Sequence, residues 1–107
     1  MINYDDAEKA LGFLKSTDTE AARLRAYASA LDDMKKSVLA MVYNELKEGS
    51  AADRTKKAEG SKEFQSHLEK LRSANEEWYV MQNQRNSAAT QIDMWRSVNS
   101  NQRKGNV

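Results

Sequence analysis

The chain has 107 residues, no proline, no cysteine and four glycines; 39% of its residues are hydrophobic and 31% charged, with a formal net charge of +1. That length holds one domain at most, and the shortage of turn residues excludes a sheet protein. Without cysteine there are no disulfides, thiolate metal sites or cysteine nucleophiles, and the near-zero charge excludes a strongly basic protein.

The charge is unevenly spread. Residues 1–20 carry five acids and two bases, net −3, whereas residues 85–107 carry four bases and one acid, net +3. Such ends can complement each other within or between chains. No apolar run reaches the length of a membrane span or a signal-peptide core, so the expectation is a cytoplasmic protein without membrane contact.

The first predicted element is a short helix over about residues 4–14, "YDDAEKALGFL". Asp5 and Asp6 suit its positive N-terminal end, and Ala7, Leu11 and Leu14 share a face. "STDTE" then reads as a break, with Ser16, Thr17 and Asp18 as caps for a new start.

The second helix is predicted over about residues 20–47. Leu24, Tyr27, Leu31, Met34, Val38 and Met41 recur at alternating steps of three and four, a heptad-like seam. Gly49 suits the end of this helix. In "GSAADRTKKAEGS", Ser50 with Asp53 makes a near capping box, residues 50–59 form a helical turn of two windings, and Ser61 caps the last helix.

That last helix is predicted over about residues 62–102, roughly 60 Å at 1.5 Å per residue. Its seam runs Phe64, Leu68, Leu71, Ala74, Trp78, Met81, Ala88, Ile92 and Trp95, with Arg85 at a seam position between Met81 and Ala88. Arg85 lies in a solvated stretch, in a buried polar layer that sets register, or on a ligand-facing surface.

The predicted fold class is therefore all-α: a long antiparallel helical hairpin with a short N-terminal helix, coiled-coil-like, its long helices unequal by about a dozen residues. Helices this long with so few large apolar residues predict a homo-oligomer.

Catalytic chemistry finds little footing. His67 is the single histidine and is expected at a surface or seam-edge position, with no metal motif around it. The paired acids at 5–6, 32–33 and 76–77 point around their helices, since adjacent residues share no face. No nucleophile elbow or phosphate loop is present. The expectation is a non-enzymatic protein without cofactor, metal or catalytic residues.

Binding chemistry has two candidate groups. Arg54, Lys56, Lys57 and Lys62 surround the hairpin tip, and Arg96, Arg103 and Lys104 lie in the tail. Tyr43, near Lys47 and off the seam, is the candidate for stacking on bases. Repeated by symmetry in an oligomer, such groups could hold a nucleic-acid backbone without sequence preference.

Three stretches, "KKSVLAMVYNELKEGSAADRTKKAEGS", "KEFQSHLEKLRSANEEW" and "AATQIDMWRSVNSNQR", resemble the UvsY-like recombination mediators of phages over about residues 20–103. The most specific element is "WRS…QR" near the end of the last helix. The resemblance implies a helical, oligomeric protein of the infected cell's cytoplasm. It would bind single-stranded DNA and help load a recombinase onto DNA covered by single-strand-binding protein. The family's DNA-binding region begins at a position matched by Lys35 and Lys36 and ends at one matched by Lys47. Between them "SVLAMVYNEL" carries no base, which shifts the expected contact to Arg54, Lys56 and Lys57. The alternatives are a coiled-coil structural, assembly or scaffold protein without nucleic-acid binding, and a host-directed adaptor that docks through its acidic first helix.

Overall fold

The computed structural model describes residues 2–105, which form three helices: α1 (Tyr4–Glu45), α2 (Ala51–Glu59) and α3 (Lys62–Gly105). They make two compact units. One combines the residues up to Ala22 with those from Tyr79 on; the other is Arg23–Trp78. In each unit a segment of α1 lies antiparallel to a segment of α3.

The short N-terminal helix does not exist as a separate element. α1 runs unbroken for 42 residues, against 44 for α3, so the long helices are nearly equal. The residues expected to cap a restart do something else. Ser16 and Thr17 both donate to Phe13 O, at 3.1 and 2.7 Å. Serine and threonine can bond the preceding turn as readily as cap the next one, and with no proline here nothing stops the helix. The actual cap lies earlier. Asn3 Oδ1 accepts from the Asp6 amide at 2.9 Å, while Asp6 Oδ2 accepts from the Asn3 amide at 3.3 Å. This is a reciprocal box built from Asn and Asp.

Past Glu45 the chain turns through Gly49, whose φ of +97° is a backbone conformation that side chains other than glycine's rarely adopt. Ser50 Oγ then accepts from the Asp53 amide at 3.2 Å and caps α2. Ser61 links α2 to α3: its Oγ donates to Ala58 O at 2.7 Å and accepts from the Phe64 amide at 3.1 Å.

In the Arg23–Trp78 unit, Ala28, Leu31, Leu71 and Ala74 form the central buried cluster. The seam of α1 here is Leu24, Ala28, Leu31, Lys35, Val38 and Val42, all buried or half-buried. Tyr27, Met34 and Met41 stand one residue off it and are exposed. On α3 the seam is Phe64, His67, Leu71, Ala74 and Trp78; Leu68 is half-buried beside it, and His67 takes the place expected for Leu68. Both helices keep the three-four spacing, but smaller or more polar residues occupy several of its positions. Trp78 is half-buried, with the Arg25 guanidinium 6.0 Å from its ring centre.

In the other unit, Ala7, Ala10, Ala21 and Ala88 are buried, and Met81, Arg85, Ile92 and Trp95 are half-buried. Tyr4 meets the edge of Trp95, ring centres 5.7 Å apart. The acidic N-terminal segment is therefore packed on α3 of its own chain. Arg85 is the polar layer here, donating to Leu14 O and Thr17 Oγ1.

His67 is buried, not at the surface. Its Nε2 lies 2.7 Å from Leu31 O. A carbonyl only accepts, so Nε2 carries the hydrogen. Among the described residues no helix is long and apolar enough to cross a membrane.

Candidate nucleic-acid interface

The basic residues of the tip fall in the turn after α1 (Lys47), on α2 (Arg54, Lys56 and Lys57) and on the first turn of α3 (Lys62), all within the Arg23–Trp78 unit. Local sequence mounts them. Ser50 fixes the start of α2, and Ala58, with no exposed surface, fixes its underside. Lys56 and Lys57 then stand exposed in the last turn of α2, where the helix dipole favours positive charge.

Arg54 and Tyr43 are partners of each other. The guanidinium carbon of Arg54 sits 4.9 Å from the Tyr43 ring centre, and both side chains are half-buried. This cation–π contact docks α2 on α1 and occupies a face of the tyrosine offered for base stacking. Arg54 Nε is buried with no hydrogen-bond partner among the described residues, so part of the arginine packs within the tip. Beside it, Lys36, Tyr43, Thr55 and Ala58 line a groove of about 220 Å³.

The remaining candidates divide clearly. Lys36, Lys47, Lys56, Lys57 and Lys62 are exposed, and among the described residues none is in an ion pair. Lys35 occupies the helix seam, half-buried, with Nζ 3.8 Å from Asp32. Arg96 pairs with Asp93 at 3.9 Å. Arg96, Arg103 and Lys104 are exposed, but they belong to the other unit. The acids Glu45, Glu48, Asp53, Glu59 and Glu63 are exposed among the tip lysines and offset their charge. The tip therefore presents individual exposed lysines rather than a strong net positive field.

Farther along α3, the Arg72 guanidinium hydrogen-bonds Glu69 and holds its carboxyl below the usual carboxylate range, while the arginine itself is pushed up by the same bond. Both are exposed, and Glu69 stands on the edge of an open groove beside Tyr27 and Lys70. No group of three or more His, Asp or Glu side chains suited to a metal ion occurs among the described residues.

Sequence reasoning missed the pairing of Arg54 with Tyr43. The two lie eleven positions apart across a turn whose direction only tertiary packing sets. It also missed the Arg85 partners on α1, although Arg85's seam position pointed to them. Compared with known proteins, the chain matches no family model, no curated protein and no solved structure.

Proposed function

We propose that the chain is a non-enzymatic, oligomeric accessory protein that holds single-stranded DNA and assists recombinase loading in phage recombination or replication. The observation that carries this reading is the set of exposed lysines on and around α2 that form no ion pair among the described residues: Lys36, Lys47, Lys56, Lys57 and Lys62. They would grip the sugar-phosphate backbone, which gives affinity without sequence preference. Repetition around an oligomer supplies the avidity that one nearly neutral tip lacks.

The test is a titration of labelled single-stranded DNA at low and high salt, with the wild type and a Lys56→Gln/Lys57→Gln/Lys62→Gln variant. Affinity should fall steeply with salt, and the variant should lose a slope of about 0.7 per phosphate contact removed. Its affinity should drop alike for every sequence. Equal binding by variant and wild type would remove the tip from the interface.

A second reading is a helical scaffold or assembly protein without DNA affinity. It draws support from the acids that offset the tip charge and from an uncharged, exposed row of residues along α1. Absence of any salt-sensitive DNA binding by the wild type would select it.

A further inference from the structure

In the Arg23–Trp78 unit α1 carries a second three-four row besides its buried seam: Tyr27, Ala30, Met34, Ser37, Met41 and Asn44. The row is centred about a third of a turn round the helix from that seam. None of its six residues is charged, in a chain with 31% charged residues. Its large members are exposed, Tyr27 and Met34 to 50% and Met41 to 63%. The outward residues of α3 in the same unit are of the opposite kind, as Glu69, Arg72 and Glu76 illustrate. A uniform solvent-facing surface has no use for such a contrast.

We infer that this face pairs with the same face of a second copy of the chain, the two α1 segments antiparallel about a twofold axis near residues 35–36. The row is complementary to itself in that orientation. Tyr27 falls opposite Asn44 of the second copy, Met41 opposite Ala30, and Met34 opposite Ser37. Every large side chain meets a smaller one, as close packing requires. A parallel pairing sets Met34 on Met34 and Ala30 on Ala30, crowding some layers and leaving gaps in others.

Charge selects the same orientation. Arg23 lies one turn before the row, and Glu45, the last residue of α1, lies just beyond its other end; Lys47 and Glu48, past the helix, offset each other. Antiparallel pairing brings Arg23 toward Glu45 of the second copy, whereas parallel pairing brings arginine to arginine. The row spans about 27 Å of helix, so the interface is at the small end for specific association. The pairing supplies an interface for the oligomer of the proposed function. It does not depend on DNA.

The test is the mass of the full chain in sedimentation equilibrium, without DNA, up to millimolar concentration. The wild type should pass from monomer to dimer or an even-numbered assembly. Met34→Glu/Met41→Glu should raise the dissociation constant at least about tenfold with helical content unchanged by circular dichroism. The chain has no cysteine of its own, so orientation can be read from introduced ones. An equimolar mixture of Ala30→Cys and Met41→Cys chains should oxidise mainly to the mixed disulfide dimer. A wild type that stays monomeric throughout, an assembly indifferent to the glutamates, or a preference of each cysteine variant for itself would overturn the proposal. Failure of DNA binding with the dimer intact would fall on the proposed function alone.

Discussion

Arg85 donates to Thr17 Oγ1 at 2.7 Å and, from the same nitrogen, to Leu14 O at 2.8 Å, linking α3 to α1 through a half-buried guanidinium. Its other terminal nitrogen reaches Asp18 at 3.3 Å, but that carboxylate is 79% exposed, so the ion pair itself adds little.

The arrangement predicts an asymmetry. Thr17 retains its bond to Phe13 O without the arginine, so Arg85→Met strands no buried acceptor there. It should change stability by no more than about 1 kcal/mol, and a gain is allowed by the released desolvation cost. Thr17→Val leaves the guanidinium in place and short of an acceptor, which should cost about 1–2 kcal/mol. The double variant should recover most of that loss. Urea unfolding of the four proteins measures the coupling, and additive losses would show that the two side chains do not act together.

Ala28 provides the register test for α1. It is 4% exposed and packs with Leu31, Leu71 and Ala74. Ala28→Leu has nowhere to place three more carbons and should cost about 1–3 kcal/mol. Ala22→Leu, on an exposed position of the same helix, should stay within about 0.5 kcal/mol. If the seam ran through Tyr27, as size alone suggests, position 28 would lie beside it and accept the larger residue. Thermal or urea unfolding separates the two registers.

That register was only half legible in the sequence. The expected and actual seams of α1 share Leu24, Leu31 and Val38; they differ in taking Tyr27, Met34 and Met41 or their C-terminal neighbours Ala28, Lys35 and Val42. Both rows keep the three-four spacing, and large apolar residues favoured the one that is exposed within the chain. What decides is the partner helix, which fills the space over Ala28 with Leu71 and Ala74. The seam of α3 was easier because a single row dominates it, and only His67 displaced its neighbour Leu68. At the tip, the caps Ser50 and Ser61 were readable because a cap is a contact over three residues. The Arg54–Tyr43 pair was not, because it depends on how α2 folds back.

Ser16 and Ser61 make the same kind of local signal in the sequence but opposite predictions in the fold. Ser61 closes both ends of a junction, taking the Phe64 amide and giving to Ala58 O. Ser61→Ala leaves an uncapped helix start and should cost about 1 kcal/mol. Ser16 is an exposed residue inside α1, its hydroxyl bonded back to Phe13 O, an acceptor that Thr17 also uses. Ser16→Ala removes only a redundant bond and installs the better helix former, so stability should rise by about 0.5 kcal/mol. Were α1 broken at residues 16–18 with Ser16 capping the restart, the same substitution would instead lower stability and helical content. Urea unfolding of the two variants followed by circular dichroism at 222 nm therefore distinguishes one continuous 42-residue helix from two shorter ones.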